Sequence, residues 1–188
     1  MTKPRIEGSF VALITPFNKD GSVDYEGFRT LLDFHAENGT SAVLIMGSTG
    51  EVSMLSPDER RKIVEETVRH KTEAMKFYYG CTGPDTATTI DYVQHAAGAG
   101  ADGAIIAAPA YICAANEDIV RYCLEVADAS PMPLGFYNNP PRVGTDLTTA
   151  DILRLAEHPN IAGLKESTTR GAQIAQLCAA KPDLSLMC

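Results

Sequence analysis

The sequence predicts an α/β fold, a parallel (β/α)8 barrel that stops within or just after its seventh strand. Three observations carry this. Seven short apolar runs occupy 10–14, 42–46, 76–80, 104–107, 134–137, 161–165 and 184–188. An amphipathic stretch separates each run from the next. The repeat is roughly 25–35 residues, the length of one βα unit.

Each run is short, and most are bounded by Gly, Pro, Asn or Asp, so they read as buried strands of a parallel sheet. The intervening segments read as six helices. The first carries Phe28, Leu31, Leu32 and His35 at helical spacing, with Gly39 where a stop is expected. The second opens on Ser56-Pro57-Asp58-Glu59, a capping box with proline at the first helical position. Ile63, Val64, Thr67 and Val68 then share a face. Later helices are expected to begin near Pro84, Asn116, Thr148 and Gly171.

An open doubly wound sheet and a closed barrel both fit such alternation. The barrel is favoured because polar residues sit at the C-terminal end of nearly every strand, not at one switch point. A complete barrel takes about 250 residues. With 188 residues, the chain 1–188 is expected to be a single barrel domain that lacks its eighth βα unit.

Composition narrows the function. A net charge of −8 argues against a nucleic-acid partner, which needs a basic face. No apolar run reaches about 18 residues, and residues 1–9 lack the apolar stretch of a secretory signal, so a cytoplasmic protein with no membrane partner is expected. Five cysteines with no Cys-x-x-Cys pair read as buried free thiols. The four scattered histidines suggest no metal site. The sequon Asn38-Gly39-Thr40 reads as chance. Gly98-Ala99-Gly100-Ala101-Asp102-Gly103 matches a dinucleotide pattern, but a helix precedes it and a strand follows. That order is the reverse of what pyrophosphate binding requires, so the segment reads as an αβ turn.

The strand ends carry the chemistry. Strand two ends in Gly47-Ser48-Thr49-Gly50-Glu51, whose glycines could aim backbone N–H groups and two hydroxyls at an anion. The alternative is a turn whose glycines only satisfy geometry. Strand four ends in Pro109-Ala110-Tyr111, where an aromatic is more often a wall than a catalyst. Strand five ends in Tyr137-Asn138-Asn139-Pro140-Pro141-Arg142; the prolines could fix Arg142 for carboxylate recognition. Strand six closes on Gly163-Leu164-Lys165-Glu166-Ser167. A lysine there is costly unless paired with a carboxylate or used. Schiff-base chemistry uses the neutral amine, which an apolar mouth favours.

Taken together, Gly-Ser-Thr-Gly-Glu, Tyr-Asn-Asn-Pro-Pro-Arg and Gly-Leu-Lys-Glu-Ser on successive strands resemble the dihydrodipicolinate synthase and N-acetylneuraminate lyase family. The first strand, Gly8-Ser9-Phe10-Val11-Ala12-Leu13-Ile14-Thr15-Pro16-Phe17, is similar too. The resemblance implies a TIM barrel followed by a helical C-terminal extension, which this chain would also lack. It implies no cofactor. Lys165 would condense with the keto group of pyruvate, with Tyr137 as proton relay. Ser48 and Thr49 would hold the pyruvate carboxylate, and Ser48 would link Tyr137 to Tyr111, which in the synthases enters from a neighbouring subunit of a homodimer or homotetramer. Arg142 would bind the second substrate's carboxylate.

The implied activity is a Schiff-base lyase, foremost 4-hydroxy-tetrahydrodipicolinate synthase, condensing pyruvate with aspartate semialdehyde in lysine and diaminopimelate biosynthesis. Arg142 favours the synthase branch. Ser48 in place of threonine, Ala110, and the run Ile112-Cys113-Ala114-Ala115 depart from it. They keep open an N-acetylneuraminate lyase, a hydroxy-oxoglutarate aldolase or a 2-keto-3-deoxy sugar acid aldolase or dehydratase. A non-catalytic 2-keto-acid-binding or assembly protein is the alternative of another class.

Overall fold

The computed structural model describes residues 3–188. Seven parallel strands form one sheet in sequence order: β1 (Phe10–Ala12), β2 (Ala42–Ile45), β3 (Lys76–Gly80), β4 (Gly103–Ala107), β5 (Leu134–Asn138), β6 (Ile161–Glu166) and β7 (Ser185–Met187). All seven expected strands are present, with ends shifted by a residue or two. The sheet curls. Ile6, just before β1, donates its N–H to Ser185 Oγ of β7 at 2.8 Å, and Arg5 bonds the Leu184 carbonyl at 3.0 Å and Asp183 at 2.8 Å. The approach to the first strand therefore touches the last.

Seven α-helices lie between the strands: α1 (Tyr25–Glu37), α2 (Pro57–Val68), α3 (Thr86–Ala99), α4 (Asn116–Ala129), α5 (Pro140–Val143), α6 (Thr149–Ala156) and α7 (Gly171–Ala180). That is one more than the sequence suggested. The extra helix, α5, is a single turn, too short to show periodicity, and it starts on Pro140, whose fixed φ suits the first helical position. Two 3-10 turns, Ser48–Gly50 and Val52–Met54, were likewise unforeseen. The Ser56 capping box forms as expected. Helix α3 begins two residues after Pro84, because Asp85 caps it by accepting from Thr88 N.

Two apolar layers hold the sheet. On its outer face Val43, Ile45, Phe77, Ile106, Phe136 and Leu164 pack under the helices. On its concave face Ala42, Leu44, Tyr78 and Ile105 form a smaller cluster with Ile6, Phe10, Ala12 and Tyr137. Phe10 meets Tyr78 edge-on at 5.4 Å and plugs the N-terminal end of the concavity. Toward the C-terminal end Ala12, Gly80 and Ala107 leave space, and the site opens there.

The Gly98–Gly103 segment is an αβ turn. Gly100 caps α3 at φ +106°, and Asp102 accepts the Phe77 N–H at 2.8 Å, at the strand end remote from the site. In the sequon, Thr40 is buried and its hydroxyl bonds His35 at 3.0 Å. All five cysteines are free, but the expectation that they are buried holds only for Cys81 and Cys123; Cys113, Cys178 and Cys188 are exposed because they lie on a loop, a helix outer face and the last residue. Burial pushes the Cys81 thiol up to about 12 and raises that of Cys123 as well. A thiol reagent applied to the folded protein at neutral pH is expected to label the three exposed cysteines and to reach Cys81 and Cys123 only on unfolding, as peptide mass mapping would read.

Among the described residues no helix is long and apolar enough to cross a membrane, and no group of three or more His, Cys, Asp or Glu residues could hold a metal ion.

Candidate active site

The C-terminal strand ends open into a cleft of about 690 Å³, within the size range of small-ligand sites. Ser48, Thr49, Tyr137, Arg142 and Lys165 all line it.

The wall after β2 is a constrained turn. Met46 is buried with φ +59°, a conformation unusual for a bulky residue, and Glu51 follows at φ +53°. Between them Ser48–Gly50 makes one 3-10 turn. It is pinned by Gly50 N to Gly47 O at 2.9 Å and by the Thr15 hydroxyl to Gly50 O at 2.6 Å. One close approach requires glycine: a Cβ on Gly80, on the neighbouring strand, would lie 2.0 Å from Met46 O, whereas one on Gly50 would make a tight contact of 3.1 Å with Leu13 O. Both the hydroxyls and the backbone N–H groups of Ser48 and Thr49 lack a protein acceptor among the described hydrogen bonds. Both residues line the cleft.

The opposite wall is the pair β5–β6. Tyr137 and Lys165 are register partners, and on adjacent parallel strands such residues point to the same face. That pairing depends on a bulge. Leu134 pairs with Ile161, but Gly135 pairs with Gly163, so Ala162 is skipped and every later partner moves by one. Lys165 Nζ then lies 4.3 Å from the centroid of the Tyr137 ring. Among the described residues no carboxylate lies within 4.0 Å of that amine. The alternative of a carboxylate-paired lysine is therefore not what the fold provides.

One residue on, the pattern turns to the other face. Asn138 and Glu166 are the next register pair and point toward the helices. Glu166 is buried and fully engaged: it accepts from Asn138 Nδ2 at 3.0 Å, Thr168 N at 2.8 Å and Gln173 Nε2 at 3.0 Å. Asn138 also reaches Asp146 at 3.2 Å, and Asp146 pairs with Arg170 at 2.8 Å. This network ties the ends of β5 and β6 to α7. Sequence reasoning missed it. The signal was present, since Glu166 is as costly in an apolar strand as Lys165, but its partners are set by register.

The hydroxyl of Tyr137 accepts from Ser167 Oγ at 3.3 Å. Among the described residues this is its hydrogen bond; the expected link to Ser48 does not form in the chain by itself. Arg142 sits in the last turn of α5, exposed, at the cleft's rim. Tyr111 is not brought in. It lies on the loop after β4 at φ +77°, is 98% exposed, and does not line the cleft.

The family model described as the dihydrodipicolinate synthetase family matches residues 5–188. The chain belongs to that family. It is 40% identical to a 4-hydroxy-tetrahydrodipicolinate synthase of Neisseria gonorrhoeae over 163 residues, which cover 87% of this chain and 56% of that protein. It superposes on dihydrodipicolinate synthase from Aquifex aeolicus with TM-score 0.90 at 34% identity, over 96% of this chain and 62% of that one. The chloride-inhibited dihydrodipicolinate synthase from Acinetobacter baumannii, complexed with pyruvate, matches with TM-score 0.90 at 32% identity, over 99% and 63%. The chain thus spans a little over half to under two thirds of the length of these relatives. Over that span it has the fold of the barrel enzymes of the dihydrodipicolinate synthetase family.

In this member of the dihydrodipicolinate synthetase family one further cation reaches the cleft. Arg60 of α2 is buried, with its guanidinium 3.9 Å from the centroid of the Tyr92 ring and bonded to Gly80 O at 3.2 Å and Thr82 O at 3.0 Å. It satisfies carbonyls at the end of β3, so it is a strut for the strand that supports the Ser48–Thr49 turn. Burial pulls its pKa down from the usual guanidinium value, although an arginine so placed stays charged. Its position heads the buried stripe Arg60, Ile63, Val64, Thr67; an arginine at i−3 and i−4 from core residues was the legible clue.

Proposed function

We propose that this chain carries the covalent centre of a pyruvate-dependent Schiff-base lyase, foremost a 4-hydroxy-tetrahydrodipicolinate synthase. The observation that carries this reading is the Lys165 amine. It is unpaired, at a strand end, in contact with Tyr137 and in one cleft with the free donors of Ser48 and Thr49. An unpaired half-buried lysine is costly, and imine chemistry is a use for it.

The steps follow from the groups present. The carboxylate of pyruvate sits against the hydroxyls and N–H groups of Ser48 and Thr49. The Nζ lone pair attacks the keto carbon; a C–N bond forms, the carbonyl π pair moves to oxygen, and a proton passes from nitrogen to that oxygen to give the carbinolamine. A second proton goes to the hydroxyl, the C–O bond breaks, water departs, and the nitrogen lone pair forms the C=N bond of the protonated imine. Tyr137 is the phenol placed to carry those protons. Loss of a methyl proton gives an enamine, whose terminal carbon attacks an aldehyde. Arg142, at the rim, is assigned to the carboxylate of that second substrate, for which aspartate semialdehyde is the first choice. The 40% identical Neisseria gonorrhoeae relative bears the synthase name, and the pyruvate complex of the Acinetobacter baumannii relative is in keeping with the first substrate. We assign the exposed Tyr111 to the cleft of a neighbouring copy, in a cytoplasmic homodimer or homotetramer that makes lysine and diaminopimelate precursors.

The test is reduction with borohydride in the presence of pyruvate. A three-carbon adduct on Lys165 is expected by peptide mass spectrometry. Pyruvate binding with Lys165 unmodified would reject the enzyme reading in favour of a non-catalytic keto-acid-binding protein. A second reading, the same imine with another aldehyde, is favoured by the residues that depart from the synthase pattern: Ser48, Ala110 and the run Ile112-Cys113-Ala114-Ala115. Turnover of a sugar aldehyde in preference to aspartate semialdehyde would select it.

A further inference from the structure

The Lys165 amine lies over the Tyr137 ring, 4.3 Å from its centroid, and within the described residues the hydrogen-bond partner of the Tyr137 hydroxyl is Ser167. The Ser167 hydroxyl donates to Tyr137 Oη at 3.3 Å. This is long for an O–H···O bond, as contacts of catalytic groups often are before substrate binds.

The serine is held from both sides. Its own N–H donates to the Asn138 carbonyl at 3.0 Å, the residue after Tyr137. The next N–H, of Thr168, donates to Glu166 Oε1 at 2.8 Å, and Glu166 is itself gripped by Asn138 and Gln173. The backbone carrying the Ser167 hydroxyl is thereby fixed to both strands that carry the reacting pair. Ser48 and Tyr111 make no hydrogen bond to Tyr137 among the described residues.

We propose that Ser167 is a positioning residue for Tyr137, its hydroxyl supplying from within the same chain the hydrogen bond that aims the phenol at Lys165. This rests on the assignment of Lys165 as the imine-forming amine. Ser167 acts through Tyr137 and leaves the hold on the pyruvate carboxylate to Ser48 and Thr49. Its loss should slow imine formation and leave pyruvate affinity nearly untouched.

The experiment is quenched-flow borohydride trapping with pyruvate for the parent protein, Ser167→Ala and Ser167→Thr. Ser167→Ala is expected to lower the adduct-forming rate at saturating pyruvate by about tenfold, the effect of one lost hydrogen bond in the transition state. The half-saturating pyruvate concentration should move by less than about twofold. Ser167→Thr, which keeps the hydroxyl, should restore most of the rate. Ser167→Ala trapping at the parental rate, or Ser167→Thr falling as far as alanine, would overturn the assignment. A parent that forms no adduct would overturn the role of Lys165, a distinct result.

Discussion

Lys165→Ala is expected to abolish the pyruvate adduct and to lower turnover by about 10⁴-fold or more, since among the described residues no other amine lines the cleft to replace the nucleophile. Arg60 and Arg142, the other cations at the cleft, carry guanidinium groups that do not condense with a keto acid under these conditions. Lys165→Arg separates the two ways in which a lysine could matter. It keeps a cation over the Tyr137 ring but removes the nucleophile, so it should be as inactive as alanine. If Lys165→Arg kept even about a tenth of the parental turnover, the residue would be acting through its charge. Steady-state assay of both variants, with the borohydride trap alongside, decides.

The second large effect is structural. Gly80→Ala would place a Cβ 2.0 Å from the Met46 carbonyl oxygen and 2.7 Å from its carbon. Those are backbone atoms, which cannot swing aside as a side chain would. Met46 already holds a left-handed conformation at the head of the Ser48–Thr49 turn, so the strain passes directly into that turn. A loss of about 3 kcal/mol is expected, the upper end of ordinary overpacking. For a chain of this size that is a fall in Tm of roughly 6–12 °C. Pyruvate affinity should fall with it, because the turn must shift to make room. Calorimetry with pyruvate titration reads both. A variant with parental Tm and affinity would mean that the β2–β3 contact is far softer than its geometry.

The strand ladder was legible because buried parallel strands are nearly continuous apolar runs, and the curled sheet confirms all seven. Helices with strong caps were legible too, as at Ser56. The short α5 and the 3-10 turns were not, because a single turn leaves no periodicity. Lys165 is visible as an unexplained charge on an apolar strand, and Glu166 beside it is equally visible, but its partners are set by register. Ser167 closes the Gly-Leu-Lys-Glu-Ser motif, but its contact with Tyr137 is not legible there, since it depends on the neighbour across the sheet. Tyr111 is legible by its place after β4, and its exposure in this chain is compatible with the entry into a neighbouring copy that the resemblance implies.

By itself the sequence determined the alternation of strand and helix, the apolar strands, the glycines of the Ser48–Thr49 turn and the candidate lysine. All of these are local, written in residue type and spacing. Only the tertiary structure decided which of them meet. The bulge that skips Ala162 moves the β5–β6 register by one residue and puts Lys165, not Leu164, opposite Tyr137. Because side chains alternate faces along a strand, that single step sets which residues share the cleft and which join the network behind it. A register is a property of two strands together, and neither segment read alone contains it.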